Sequence, residues 1–313
     1  MEISSEAFRS KIDETLTHPE VRRIRDRNLA LWAQEGNQIF STLLSDWEGE
    51  IKKKMDRLRG IDENPMISIV IPARNEEKNI LQILDSISSQ KLKDTLEVII
   101  VDNNSSPNDR TEEIAKACGA RIIKYTLEDD NPDKGLSQIA LARQKGLRQA
   151  SGKYIISTDA DGIATDRWVE KMIEPLKGDT TITCTTGHVI NYDRKNALFA
   201  VPLDAATMIG RPIANKTKIR ANVVTLGANT AFRKSDALEI GGYDERKYPG
   251  EDTDIGIRLS KIGGIKFITG YEAAVRVSSR RLSQGGLVDT LRHYAEINKS
   301  LYKSAEGDPR NFR

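Results

Sequence analysis

Short apolar runs alternate with helical patterns through the middle of the chain, and this alternation is the strongest constraint on the fold. Strand-like runs occupy residues 67–71, 96–101, 121–124, 153–158, 181–189 and 265–269. Apolar side chains recur at helical spacing over residues 76–89, 111–118, 138–150, 168–176, 234–240 and 252–262. Strands that alternate with helices are typical of parallel strands joined by crossover helices. The sequence therefore predicts an α/β fold.

Composition excludes several classes of protein. The 313 residues carry 48 basic and 46 acidic side chains, a net charge of +2, so we expect no nucleic-acid partner. Cys118 and Cys184 lie far apart, which suggests neither a zinc site nor a disulfide framework. The apolar runs are far shorter than the about 20 residues that span a bilayer. The acidic, polar start does not resemble a secretory signal, so we expect a cytoplasmic protein.

The two ends of the chain differ from the middle. Residues 1–64 read as a charged helical extension that ends near Gly60 and Pro65. This extension could pack on the core, form a homo-oligomer or hold an acceptor carrier. Residues 271–313 read as a helical tail, with an amphipathic pattern over residues 285–303. The tail is somewhat basic, which would allow peripheral contact with an anionic membrane at its inner face.

Two aspartates follow the strand pattern at residues 153–158. Asp159 and Asp161 are separated by one residue at a strand end, the place where sheets of this kind bind ligands. Carboxylates so placed can hold Mg²⁺ or Mn²⁺, which bridge to substrate phosphates. A solvated turn is the alternative interpretation.

Polar residues follow the first two strands as well. Asp102 ends the second strand and could accept a hydrogen bond from a base or a ribose, although an Asx-turn or a helix cap would also explain it. Residues 72–76, Pro-Ala-Arg-Asn-Glu, close the first strand in the same way. Three strand ends could therefore contribute to one crevice.

A fourth polar element, residues 250–254, stands where a helix is predicted to begin. Carboxylates are stabilised at a helix N-terminus, so Glu251, Asp252 and Asp254 could be structural. Three acids in four positions exceed what a cap needs, however, and a general base for an alcohol requires such a group.

These elements, in this order, resemble the inverting glycosyltransferases of family 2, which have the GT-A fold. The resemblance runs from about Met66 to Arg281 and rests on the segments at residues 69–76, 101–105, 142–146, 159–161, 227–233, 241–244 and 250–254. It implies a Rossmann-like, mixed but mainly parallel sheet in a core over residues 65–270. It also implies sugar transfer from a nucleotide donor to an acceptor hydroxyl, with inversion at the anomeric carbon.

The resemblance carries roles over to the donor side of the site. Asp102 would bind the base through the N3–H of uracil, which favours a UDP-sugar. Asp161 would hold the divalent metal, Mn²⁺ or Mg²⁺, on the diphosphate, and Asp159 would contribute to the same metal and nucleotide site. The remaining nucleotide-binding positions implied by the resemblance are Pro72, Arg74, Glu76 and Lys145.

On the acceptor side, the resemblance makes Asp252 the catalytic base, with Glu251 beside it. Arg143 is a further candidate for a cation near the diphosphate. The acceptor would be a glycan, a lipid-linked sugar or a polysaccharide, and neither its identity nor the transferred sugar follows from the sequence.

The sequence departs from the family pattern at two places. Asn103 follows Asp102 where many relatives have a second acid, and residues 274–281 lack the histidine that often adds a metal ligand. A catalytically silent nucleotide-sugar-binding or scaffold protein of the same fold is the alternative. The complete set of carboxylates favours an enzyme.

Overall fold

The computed structural model describes residues 38–60, 64–125, 137–191, 227–246 and 250–277. Most of the predicted N-terminal extension and the predicted tail helix at residues 285–303 lie outside these described residues.

Seven α-helices and ten strands are described. The helices are α1 (Gln38–Arg59), α2 (Ile80–Ser88), α3 (Thr111–Ala117), α4 (Gln138–Gln149), α5 (Trp168–Gly178), α6 (Lys234–Glu239) and α7 (Glu251–Ile262). The strands are β1 (Ile67–Ala73), β2 (Leu96–Asn103), β3 (Arg121–Tyr125), β4 (Tyr154–Ser157), β5 (Ile163–Ala164), β6 (Ile182–Thr186), β7 (Val189–Asn191), β8 (Thr230–Arg233), β9 (Gly264–Phe267) and β10 (Val275–Val277). A 3₁₀ turn covers Tyr271–Ala273.

Seven strands form one central sheet in the order β3-β2-β1-β4-β8-β6-β9. Four of its pairings are parallel, whereas β8 runs antiparallel to both β4 and β6. Every residue of β1 and β2 is buried, as expected for strands covered on both faces. The prediction of an α/β fold with a mixed, mainly parallel sheet is confirmed.

A second, three-stranded sheet has the order β5-β10-β7. The pattern at residues 181–189 predicted one strand, and the structure divides it into β6 and β7. β10 lies beyond residue 270, in the part assigned to the helical tail, yet it pairs with β5 and β7. Residues 271–277 are therefore a 3₁₀ turn and a strand that join the described fold.

Helix α1 packs on the body of the protein through one apolar stripe. Leu44, Trp47, Ile51 and Met55 are each at most 8% exposed and belong to the same apolar cluster as β1, β2, α2 and α5. This part of the predicted N-terminal extension therefore packs on the core.

Neither cysteine forms a disulfide. Cys118 and Cys184 are both buried free thiols, and desolvation raises the pKa of each thiol. Within the described residues, no helix is both long enough and apolar enough to cross a lipid bilayer.

Truncating Ile51 tests whether α1 belongs to the core. Ile51 is fully buried, so Ile51→Ala should lower the free energy of unfolding by about 2–5 kcal/mol through lost burial and an unfilled cavity. Lys53→Ala, on the exposed face of the same helix, should change it by less than about 0.5 kcal/mol. Equal values for the two variants in urea denaturation would show that α1 does not contribute to the core.

Candidate active site

The carboxyl ends of β2, β1 and β4 lie side by side at one edge of the central sheet. Ala73 of β1 is level with Asp102 of β2, and Ser157 of β4 is level with Val70 of β1. Because the three strands are parallel, the polar residues that follow them share this edge. It is the edge at which open α/β sheets bind ligands.

Hydrogen bonds join the loops that follow β1 and β2. The Asn75 amide donates to Oγ of Ser105 (2.9 Å), and the Ser106 amide donates to Oδ1 of Asn75 (2.7 Å). Asn75 and Asn104 have φ values of 54° and 57°, a left-handed conformation that asparagine tolerates better than most residues. The two loops therefore hold each other in place.

Asp102, which is 9% exposed, takes part in this loop through one of its two carboxylate oxygens. Its Oδ1 accepts from the Ser105 amide (3.1 Å) and the Ser105 hydroxyl (2.6 Å), which is the Asx-turn considered from the sequence. No described residue donates a hydrogen bond to its Oδ2. The turn fixes the carboxylate and leaves one oxygen for a donor such as a base N–H.

The other residues predicted for the nucleoside pocket lie around the end of β1. Pro72 is a buried residue of the strand itself. Arg74 is exposed and reaches Oε1 of Gln138 at the start of α4 (3.3 Å). Glu76 accepts from the side chain of Asn79, and its backbone amide donates to Oγ1 of Thr111 (2.7 Å). Of these, Arg74 has the most solvent-accessible position.

Lys145 lies beside the end of β3. Its ammonium group donates to the Lys124 carbonyl (2.9 Å) and lies 5.2 Å from the centre of the Tyr125 ring, at the end of β3. Helix α4 thus directs Lys145 towards β3 and Arg143 towards β4. The predicted role of Lys145 in nucleotide binding stays a prediction.

Asp159 and Asp161 form the turn that leaves β4. The Gly162 amide donates to the Asp159 carbonyl (3.2 Å), which closes the turn. Asp161 is half-buried, and the Asp159 side chain is 20% exposed. Within the described residues there is no group of three or more His, Cys, Asp or Glu side chains that could hold a metal ion. Two carboxylates do fit Mg²⁺ or Mn²⁺ when substrate phosphate and water complete the coordination.

The start of α7 carries the predicted catalytic acids. Gly250 precedes the helix with φ 107°, a conformation that suits glycine. Asp252 is half-buried, whereas Glu251 is only 7% exposed. Oδ1 of Asp252 accepts from the Thr253 amide (2.8 Å), and Oδ2 accepts from the Gly227 amide (2.6 Å). The Asp252 carboxylate is therefore held from two sides.

The segment that begins at Gly227 runs between β4 and α7. Thr158 donates from Oγ1 to the Ala228 carbonyl (2.8 Å). The fully buried Asn229 accepts from the Trp168 indole and donates to the carbonyls of His188 and Ala273, each at 2.8 Å. These bonds fix the segment that supplies the Gly227 amide to Asp252.

Arg143, on α4, connects these parts from within. The residue is 2% exposed, and its guanidinium donates to Oδ1 of Asp159 (2.7 Å), to the Gly227 carbonyl (3.0 Å) and to the Ser157 hydroxyl. Its Nε lies 3.5 Å from Oε1 of Glu251. Sequence reasoning named Arg143 as a cation near the diphosphate. The structure instead encloses it among protein oxygens.

Burial and charge shift the pKa values of this cluster. Burial alone would favour neutral Arg143, but Asp159, Tyr243, Glu251 and Asp252 outweigh it and raise the pKa of the guanidinium. Burial also raises the pKa of Glu251, opposed by Arg143 and reinforced by Asp252. Tyr243, whose pKa burial raises to about 12, stays a neutral phenol beside Ser157. The cluster therefore keeps a permanent cation among its acids.

Two further residues near the site have protein partners. Asp254, the third acid at the start of α7, is 8% exposed and pairs with Arg258 one turn along the helix (2.6 Å). His188 is buried, with Nε2 3.1 Å from the Thr269 carbonyl. His18 and His293 lie outside the described residues. Sequence reasoning did not identify the backbone of Gly227 as part of the site, although the segment that it begins was among the motifs.

Comparison with known proteins agrees with this geometry. A sequence model described as "Glycosyl transferase family 2" matches residues 68–241, more than half of the chain. The chain belongs to this family. The expectation drawn from the strand-end motifs is confirmed, and the chain is a glycosyltransferase by family.

Curated relatives within the family share about 30% identity with the chain. A probable glycosyltransferase, YdaM, of Bacillus subtilis is 29% identical over 207 residues, 64% of this chain and 48% of that protein. Glycosyltransferase AglE of Haloferax volcanii is 30% identical over 206 residues, 63% of this chain and 64% of that protein. The chain spans about half to two thirds of the length of these relatives.

Solved structures show the same fold at low identity. The mannosyltransferase PcManGT of Pyrobaculum calidifontis, in complex with GDP-Man and Mn²⁺, superposes with a TM-score of 0.51 at 18% identity and covers 81% of this chain and 68% of that one. S. aureus TarS 1-349 in complex with UDP gives a TM-score of 0.51 at 16% identity, with 68% and 60% covered. These neighbours confirm the GT-A fold.

A side chain at Gly227 should disturb the candidate active site. A Cβ there would lie 2.7 Å from Nη2 of Arg143 and 3.1 Å from Oδ2 of Asp252. Gly227→Ala should lower the free energy of unfolding by about 1–3 kcal/mol, as overpacking does. Gly178→Ala is the control, because nothing lies within 4 Å of a Cβ there. The same unfolding midpoint in urea for both variants would contradict the close packing around Gly227.

Proposed function

We propose that this family 2 glycosyltransferase transfers a sugar from a UDP-sugar to an acceptor hydroxyl with inversion, using a divalent metal ion and Asp252 as general base. The observation that carries the proposal is a pair of carboxylates linked to each other through Arg143 and the Gly227 segment. Asp159 lies on the strand-end side and Asp252 on the α7 side, joined through Arg143 and Gly227.

The two sides suit different tasks. The strand-end side offers Asp102, Asp159 and Asp161 at the edge where a nucleotide diphosphate would bind. The α7 side offers a carboxylate whose oxygens are oriented by backbone amides. An inverting transfer requires this division. The acceptor hydroxyl attacks the anomeric carbon from the face opposite the leaving group, so the base that deprotonates it must lie on that face.

Asp252 suits the role of base better than Glu251 does. Glu251 is buried against Arg143, and burial raises the pKa of its carboxyl group, which favours the protonated form. Asp252 is half-buried and so more open to an incoming hydroxyl. In the proposed step Asp252 takes the hydroxyl proton, the acceptor oxygen bonds to the anomeric carbon, and the bond to the diphosphate oxygen breaks with its electron pair.

The donor side supports a metal-bound diphosphate. Asp161 and the free oxygen of Asp159 would hold Mn²⁺ or Mg²⁺, and the ion would supply positive charge for the departing diphosphate. The neighbours PcManGT, solved with GDP-Man and Mn²⁺, and TarS 1-349, solved with UDP, support a nucleotide donor. The choice of UDP rests on Asp102, whose open oxygen suits the N3–H of uracil.

The acceptor is proposed only as a class. Curated relatives of the chain include a poly-beta-1,6-N-acetyl-D-glucosamine synthase of Staphylococcus aureus and a 4,4'-diaponeurosporenoate glycosyltransferase of Staphylococcus haemolyticus. The names of these two relatives indicate acceptors with different skeletons. The acceptor proposed for this chain is therefore only a class, a glycan or a lipid-linked molecule that supplies a hydroxyl group.

Replacing the proposed base should stop transfer while the fold survives. Asp252→Asn should lower kcat by about 100- to 10,000-fold, the usual contribution of a general base, and leave the donor KM nearly unchanged. Asp166→Asn removes a carboxylate from an exposed position after β5 and should leave kcat unchanged. The activity of both variants is measured as the release of UDP in assays with a panel of UDP-sugars and acceptors. Normal turnover by Asp252→Asn would overturn the assignment.

Nucleotide binding can be tested without an acceptor. UDP with Mn²⁺ at about 100 times its dissociation constant adds about 2.7 kcal/mol to stability, which raises the unfolding midpoint by several degrees. GDP, CDP and dTDP, and UDP without Mn²⁺, should raise it less, and Asp161→Asn should remove the Mn²⁺ dependence. Stabilisation by GDP alone would indicate a GDP-sugar donor instead of a UDP-sugar. Stabilisation by no nucleotide would favour a catalytically silent scaffold protein.

A further inference from the structure

The position of Arg143 gives it a task beyond holding one ion pair. A buried guanidinium has a high cost of desolvation, which here is offset by two carboxylates, a hydroxyl and a backbone carbonyl. These oxygens belong to three separate parts of the chain: β4 with its following turn, the Gly227 segment and the start of α7. Arg143 is thus the common partner of elements that are distant in sequence.

One arm of the guanidinium acts on the donor side. Nη2 binds Oδ1 of Asp159 at 2.7 Å, which restrains the rotation of that carboxylate. Because Asp159 belongs to the proposed metal and nucleotide site, its orientation bears on how a metal-bound diphosphate is held.

The other arm acts on the base side through the backbone. Nη1 binds the Gly227 carbonyl at 3.0 Å, and the Gly227 amide binds Oδ2 of Asp252 at 2.6 Å. The absence of a side chain at Gly227 allows both contacts, since a Cβ would collide with Arg143 and approach Asp252. The position of Asp252 therefore depends on the position of Arg143.

We propose that Arg143 is a positioning residue that sets the spacing between the donor-side carboxylate Asp159 and the base Asp252. This inference rests on the proposed function. A planar guanidinium can bind both sides at once, whereas the compact ammonium of lysine cannot reproduce that fork. Because Arg143 is only 2% exposed, it would act on the site through its contacts with Asp159 and Gly227.

The test compares Arg143→Lys, Arg143→Met and Arg143→Ala with the wild type and with Arg148→Met, which removes an exposed charge from the same helix. Three measurements are made below the unfolding temperature of every variant: donor KM and kcat, calorimetric affinity for UDP with Mn²⁺, and folded fraction by circular dichroism. If Arg143→Met does not fold, the comparison of Arg143→Lys with the wild type decides the outcome, because lysine keeps the buried charge.

We expect Arg143→Lys to fold, to lose about 100-fold in kcat, as small misplacements of reacting groups do, and to bind UDP with Mn²⁺ several-fold more weakly. Guanidinium, added to Arg143→Ala far below denaturing concentrations, should restore part of kcat and should not restore Asp252→Asn. A purely structural role would lower the folded fraction and leave both the affinity and kcat per folded molecule unchanged.

The outcomes separate this inference from the proposed function. An active wild type together with a folded Arg143→Lys of normal kcat and normal affinity overturns the positioning role alone. A wild type that releases UDP from no donor overturns the proposed function, and the positioning role falls with it.

Discussion

The interaction on which the site depends is the enclosure of the Arg143 guanidinium by four oxygen atoms. A charge this deeply buried is tolerated only when it is paired and hydrogen-bonded, and its partners here are Asp159, Glu251, Ser157 and the Gly227 carbonyl. Each partner belongs to an element that the sheet and its helices bring to one edge. The contacts of Arg143 thus join the end of β4, the Gly227 segment and the start of α7 into a single site.

The sheet in turn explains why this edge is available. β2, β1 and β4 are parallel neighbours, so their carboxyl ends and the loops that follow them coincide. The antiparallel strand β8 returns beside β4, and the segment before it passes the same edge at Gly227. That return lets a residue far along the chain meet both Arg143 and Asp252. The family match fits this arrangement, since a conserved fold can present its strand ends to a nucleotide while its acceptor side varies.

Much of this fold could be predicted from the sequence, and the exceptions have a physical reason. The long apolar strands and the amphipathic helices were predicted within a few residues. β5, β8 and β10 were not, because strands of two to four residues such as Thr230–Arg233 contain no apolar run and form only through their neighbours. In the site, Asp102, Asp159 and Asp252 were identified by their places at strand and helix ends. Two features of the site could not be predicted because they depend on tertiary packing. Arg143 and Lys145, two residues apart on α4, point in different directions, and Gly227 contacts its neighbours through its backbone.

The central claim is that one nucleotide-sugar site lies at this edge, between the strand ends and the start of α7. A crystal structure of the protein grown with UDP and MnCl₂, with data collected at the manganese absorption edge, tests it most directly. We expect an anomalous peak at the Asp159–Asp161 turn, the uracil beside Asp102, and the Asp252 carboxylate facing the space beyond the diphosphate. A nucleotide bound on another face, or a manganese peak away from this turn, would contradict it.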